Sequence, residues 1–217
     1  MTSNSVAIID YGLCNLHSVV NACKYVGLNP IVTSDDSKII ACDGAILPGV
    51  GAFGQAIKKI RGRSLDKVIF EFIESGKPFM GICLGLQLLF EESEEFGKFK
   101  GLGVLPGKVR RLPSSYGKVP LIGWRKVNLS PNFRDNKNYF NELENQYMYF
   151  VHSYYVEPIS QIDVLTYSNI DDFRYCTSVA RNNIFGFQFH PEKSGNAGLL
   201  IYLKFKKLIF ENNKWIN

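Results

Sequence analysis

Short apolar runs alternate with helically spaced apolar residues through the first half of the chain, and this alternation constrains the fold more than any other feature. Val6-Ala7-Ile8-Ile9 ends in Asp10-Tyr11-Gly12 and reads as a buried strand entering a turn. From Asn15, the positions Leu16, Val19, Val20, Cys23 and Val26 repeat at helical spacing, with Gly27 as the stop. Pro30-Ile31-Val32 and Ala45-Ile46-Leu47 read as the next two strands. Helical patterns cover 55–60 and 65–74, closed by Gly76 and Pro78. Phe79-Met80-Gly81-Ile82 is a further strand that runs directly into a helix over 84–90. Such alternation predicts an α/β fold: a mostly parallel sheet flanked on both faces by helices. At 217 residues and 46% apolar content, the chain is sized for one domain over 1–217 with one large core.

The texture changes near Val104. Segments 109–112, 124–127, 147–151, 164–167 and 184–189 are short, aromatic and β-branched, which predicts antiparallel additions to the sheet. The polar, asparagine-rich stretch 132–145 reads as an exposed loop or a short helix, and 198–210 as a helix packing back on the core. In parallel sheets ligands bind where strand ends meet helix starts. The two glycine-rich junctions, Pro48-Gly49-Val50-Gly51 and Gly81-Ile82-Cys83-Leu84-Gly85, both occupy that kind of place.

Gly81-Ile82-Cys83-Leu84-Gly85 has the form of a nucleophile elbow, in which flanking glycines clear the space a tight strand-to-helix bend needs. A cysteine there lies near a helix N-terminus, where free amides favour thiolate. The Leu84 amide points where an oxyanion would develop. Taken alone, a cysteine beside an apolar strand is ordinarily inert core. The second piece is Gln188-Phe189-His190-Pro191-Glu192. A histidine exchanges protons at neutral pH, and a carboxylate two residues on can fix its tautomer, with Pro191 stiffening the link. Taken alone, this is a surface histidine beside a chance glutamate. Neither motif suffices singly, but both fit one nucleophile–base–orienter machine. No cofactor and no metal is expected.

The formal charge of +5 comes from scattered lysines, and Lys204, Lys206 and Lys207 fit the wet face of a helix, so no nucleic-acid partner is expected. Five cysteines, an odd number without a CxxC pair, indicate a reducing compartment; Cys14, Cys23, Cys42 and Cys176 read as packing residues. Neither a signal sequence nor an apolar run of membrane length is evident, so the expected location is cytoplasmic and away from membranes.

The combination resembles the class I, triad-type glutamine amidotransferases, and within them the glutaminase subunits of imidazole glycerol phosphate synthase. The matching segments include Asp10-Tyr11-Gly12, Pro48-Gly49-Val50-Gly51-Ala52-Phe53, the elbow with Gln87, Ser93-Glu94-Glu95, Gly123-Trp124, Tyr149-Phe150-Val151-His152-Ser153-Tyr154 and 188–194. The resemblance implies Cys83 as nucleophile, His190 as general acid and base, and Glu192 as its orienter. It implies an oxyanion hole from Val50, Gly51 and Leu84, and glutamine contacts from Gln87 and the backbone of Ser153 and Tyr154. His152 is given a structural or interface role, and His17 a surface one. In such enzymes ammonia passes to a separate synthase, so a partner is implied: a (βα)8 cyclase, or a sugar amidotransferase of surface-polysaccharide synthesis. A catalytically silent scaffold is the reading from another class. Asn15, Leu121, Trp124, Arg125, Tyr149 and Lys193 are the implied partner contacts. Leu121 and Arg125 stand where the family usually has histidine and asparagine, and Cys14 where it has glycine; these departures leave the partner open.

Overall fold

The computed structural model describes residues 4–13, 15–133 and 140–213, the side chains of 212 and 213 excepted. The chain runs β1 (Ser5–Ile9), α1 (Leu16–Tyr25), β2 (Asn29–Thr33), α2 (Asp36–Ala41), β3 (Gly44–Gly49), α3 (Phe53–Gly62), α4 (Leu65–Glu74), β4 (Phe79–Cys83) and α5 (Leu84–Leu88). Then follow β5 (Phe90–Ser93), β6 (Phe99–Lys100), β7 (Leu105–Arg111), β8 (Leu121–Lys126), β9 (Asn128–Leu129), β10 (Tyr147–His152), β11 (Tyr154–Pro158), β12 (Val164–Ile170), β13 (Phe173–Arg181), β14 (Ile184–Phe187) and α6 (Gly195–Asn213).

One sheet takes the order β2-β1-β3-β4-β14-β13-β11-β7-β5-β6, with β12 and β9 branching from β13. From β2 to β14 every pairing is parallel. The strands β1, β3 and β4 are buried at every position, so their sequences carry unbroken apolar runs instead of an alternation. Their side chains still divide by face. Ala7, Ile9, Ala45, Leu47 and Phe79 pack with the buried residues of α3 and α4, while Val6, Ile8, Ile46, Met80 and Ile82 pack with those of α1 and α6. In α4 the inward stripe is Leu65, Val68, Ile69 and Phe72, a helical period against the sheet. The helices thus cover both faces and leave the strand ends open.

Three expectations need correction, and one short helix is added to them. The segment 184–189 is not simply an antiparallel addition: β14 pairs antiparallel with β13 but parallel with β4, inside the central sheet. A two-residue turn with Asn182 at φ 55° makes the hairpin, and the hairpin delivers β14 back beside β4. The segments at 124–127 and 147–151 do not extend the sheet either, because β8 and β10 form a separate two-stranded ribbon. The helix over 84–90 stops at Leu88, and Phe90 opens β5; Leu84, Leu86, Leu88, Leu89 and Phe90 are all buried, so their pattern does not separate helix from strand. Between the second and third strands lies α2, capped by the Asp35 carboxylate accepting from the Lys38 amide at 3.1 Å. Of the stretch 132–145, residues 134–139 lie outside the described residues, Asn141–Leu143 forms a 3₁₀ turn, and Phe140 and Leu143 are buried. Among the described residues no helix is long and apolar enough to cross a membrane.

Candidate active site

The strand β4 ends on Cys83, which adopts φ 53° and ψ −110° and serves as N-cap of α5. A non-glycine residue rarely takes positive φ, and such strain persists only where surrounding packing holds it. The packing here is tight on both sides. A Cβ on Gly81 would sit 2.9 Å from the Leu86 nitrogen, and one on Gly85 would run into the Leu47 carbonyl oxygen. Leu84 begins the helix, so its N–H is among those a helix leaves unpaired.

The parallel register of β14 on β4, Phe187 opposite Ile82, brings the following residues out at the same sheet end as Cys83. There the His190 Nδ1 lies 2.7 Å from the Glu192 Oε1, with both side chains almost wholly buried. Pro191 starts a 3₁₀ turn over Pro191–Lys193, and the Ser194 hydroxyl donates to the His190 carbonyl at 2.7 Å, closing the turn. Burial alone would pull the His190 pKa down. The Cys83 sulfur and the Glu192 carboxylate outweigh it and push the ring up to about 10, so His190 is charged at neutral pH. Its Nε2 is buried, and the Cys83 sulfur favours the charged ring as a hydrogen-bond partner ahead of its field.

Cys83 and His190 share a cavity of about 290 Å³. That is near the lower end of the roughly 300–1,000 Å³ common for small-molecule sites, a size suited to one amino acid. Val50, Gly51 and Leu84 line one part of it, and Gln87, Ser153 and Tyr154 another. Sequence-predicted residues of four distant segments are therefore brought together. Their polar groups are partly engaged within the protein. The Val50 N–H donates to the Leu13 carbonyl at 3.2 Å, and Gly51 sits at φ 95°. The Gln87 amide nitrogen donates to the Tyr154 carbonyl and to the Gln188 Oε1, both at 3.0 Å, so any ligand contact falls to its oxygen.

Three residues without an assigned ligand or catalytic role belong to the same site. Glu95 lines the cavity as its acidic group, accepting from the Phe53 amide at 2.6 Å while burial raises its pKa. Gln188 is fully buried and donates to the Cys83 sulfur at 3.7 Å. His152 also lines the cavity; its Nδ1 meets the Tyr154 carbonyl at 2.8 Å, and burial pulls its pKa down to about 4, so it is neutral. Glu95 and Gln188 stood in quoted motifs, but nothing in their spacing marks a side chain that turns inward.

The implied contact residues separate by face. Trp124 is half exposed and stacks edge-on with Tyr149 at 5.9 Å, and Asn15 and Lys193 are exposed. Leu121 is buried opposite His152 in the β8–β10 ribbon. Arg125 alternates to the face opposite Trp124, where its charge acts on the buried Tyr175 hydroxyl. Of the remaining cysteines, Cys23, Cys42 and Cys176 are buried and free, with the Cys23 thiol pushed up to about 12 by burial; Cys14 lies outside the described residues. His17 is exposed on α1. Among the described residues no cluster of metal-ligating side chains occurs.

The glutamine amidotransferase class-I family matches residues 7–207. The chain is 44% identical over 207 residues to the imidazole glycerol phosphate synthase subunit HisH of Bacillus cereus, covering 94% of this chain and 95% of that one. It is 42% identical over 200 residues to the subunit of the same name from Chlorobaculum tepidum, covering 92% and 98%. Among solved structures, PurLQS from Thermotoga maritima superposes with a TM-score of 0.71 at 21% identity over the full length of both chains, which shows the shared fold. The chain belongs to the class-I glutamine amidotransferase family.

Proposed function

We propose that this chain is the single-domain glutaminase subunit of an imidazole glycerol phosphate synthase, acting in the cytoplasm and in histidine biosynthesis. The observation that carries the reading is the buried His190–Glu192 pair set beside Cys83 in an amino-acid-sized cavity. The Cys83 sulfur attacks the side-chain amide carbon of glutamine, and charged His190 gives its proton to the departing nitrogen. Ammonia leaves, and a γ-glutamyl thioester remains. Water then attacks the thioester carbon while His190 takes its proton, and glutamate departs as the sulfur is released. Glu192 holds the ring with Nδ1 toward it and Nε2 toward the chemistry.

The Leu84 amide, with the Val50-Gly51 peptide, is assigned to the oxyanion. The donor of that peptide is the Gly51 N–H, and Gly51 at φ 95° has the backbone freedom for the peptide to turn as the hole is completed. Gln87 and the Ser153-Tyr154 backbone are assigned to glutamine, with the Glu95 carboxylate facing its α-ammonium. Ammonia in neutral water becomes ammonium, which is no nucleophile, so it must pass directly into a partner. The relatives' names favour the (βα)8 cyclase as that partner. Of the departures that point to a sugar amidotransferase, Leu121 is buried and Arg125 lies on the face opposite Trp124, so neither argues for a changed contact, while Cys14 lies outside the described residues.

The test is glutamate release by the purified chain with and without the cyclase subunit loaded with its ligand. We expect slow hydrolysis alone and a stimulation of about 100-fold or more in the complex, the effect of completing one oxyanion donor. A full rate without any partner would overturn the gating, and no stimulation by the cyclase would overturn the choice of partner.

A further inference from the structure

The side chain of Gln188 is fully buried beneath the elbow, and its orientation follows from hydrogen-bond logic alone. The Tyr154 carbonyl oxygen accepts only, so the Gln87 atom 3.0 Å from it is the amide nitrogen. That same nitrogen lies 3.0 Å from the Gln188 side chain, which must therefore present its oxygen there. The other end of the Gln188 amide is then its NH₂, and it lies 3.7 Å from the Cys83 sulfur. The backbone is fixed as well, because the Gln188 N–H donates to the Thr177 carbonyl at 2.8 Å. Hydrogen bonds thus link the Tyr154 carbonyl, Gln87 and Gln188 to the nucleophile, with Gln87 donating to both its neighbours and Gln188 donating to the sulfur, and Gln188 itself is not part of the cavity wall.

We propose that Gln188 is a positioning residue for glutamine hydrolysis, donating an N–H to the Cys83 sulfur so that the charged sulfur is favoured and aimed at the substrate carbon. This rests on Cys83 being the nucleophile, as proposed above. A hydrogen bond to the charged form of an acid favours that form, and it strengthens as charge grows on the acceptor. The sulfur carries charge before attack and again as the thioester collapses, but not in the thioester itself. The same N–H therefore assists both formation and breakdown of the acyl-enzyme. Gln87, by holding the Gln188 oxygen, keeps the amide from turning its acceptor end to the sulfur.

The test uses the full chain with Gln188→Glu, which keeps an acceptor for Gln87 but removes the donor, and Gln188→Met, which keeps the approximate shape; thermal melting identifies the folded variants. Peptide-resolved mass spectrometry follows alkylation of Cys83 by iodoacetamide across pH, and steady-state kinetics follow the complex with its synthase. We expect the alkylation midpoint to move to higher pH by about 0.5 unit or more. We expect kcat for glutamine to fall about tenfold or more with KM within about twofold, and ammonia-dependent synthesis to be unchanged. An unchanged alkylation profile and kcat in a folded variant would overturn the proposal, as would a rise in KM alone, which would place Gln188 in glutamine binding. Cys83→Ala run alongside separates the premise from the proposal: glutamine hydrolysis surviving that change would remove the nucleophile itself.

Discussion

Two histidines near one cavity are driven in opposite directions by what surrounds them. His190 is raised to about 10 because the Cys83 sulfur and Glu192 overcome burial, whereas His152 is lowered to about 4 by burial among Phe150 and Tyr175. The consequences for stability have opposite signs. His190, with a folded pKa above 6.5, contributes stability that is complete below pH 6.5 and lost as pH rises through about 10. His152, with a folded pKa below 6.5, contributes stability that is complete above pH 6.5 and lost as pH falls through about 4. His152→Asn keeps a donor for the Tyr154 carbonyl and removes the titration. We expect its urea midpoint to fall less steeply than that of the unaltered chain between pH 6.5 and 4; parallel slopes would show that His152 is not held neutral by the fold.

The elbow is the element on which the site depends, and its glycines are required by contact. Gly85→Ala drives a methyl into the Leu47 carbonyl oxygen, a backbone atom of a central strand that cannot swing aside. We expect a loss of about 3 kcal/mol, at the upper end for overpacking, measured by denaturant unfolding; a stability within about 0.5 kcal/mol would mean that the bend is looser than described. The elements with unbroken apolar runs or a clear helical stripe were legible in the sequence, as in β1, α1, β3, α4 and β4. Each has one dominant pattern, an unbroken apolar run or a helical stripe. The place of β14 was not legible, because Ile184-Phe185-Gly186-Phe187 reads alike as an edge addition or a central strand; only its register on Phe79–Cys83 decides. Six-residue α2 buries only Ile39 and so shows no stripe. The pairing of Cys83 with His190 and Glu192 was a matter of motif and resemblance, whereas the turn of Gln188 and Glu95 toward it follows from tertiary packing, which no spacing records.

At the scale of the whole molecule, the β8–β10 ribbon presents Ile122, Trp124, Tyr147 and Val151 to solvent, an apolar surface of the kind that marks a partner site. It is also wired to the triad. The Tyr149 carbonyl accepts from the His190 amide at 2.9 Å, and the Tyr149 amide meets the Ser194 hydroxyl at 3.0 Å. A partner seated on Trp124 and Tyr149 would press on the turn that holds His190. We expect Trp124→Ala to weaken binding of the synthase about tenfold or more by titration calorimetry, as loss of an aromatic anchor does, with the isolated chain's melting temperature little changed. Undiminished affinity would move the contact face elsewhere.

The proposed function requires that Cys83 makes ammonia for a reaction completed on another chain. Its most direct test is product synthesis by the complex of Cys83→Ala with the cyclase subunit, measured once with glutamine and once with ammonium salt at alkaline pH. We expect the glutamine-dependent rate to vanish into background and the ammonia-dependent rate to match that of the unaltered complex. Loss of both rates in a folded, assembled complex, or survival of the glutamine-dependent rate, would contradict the account.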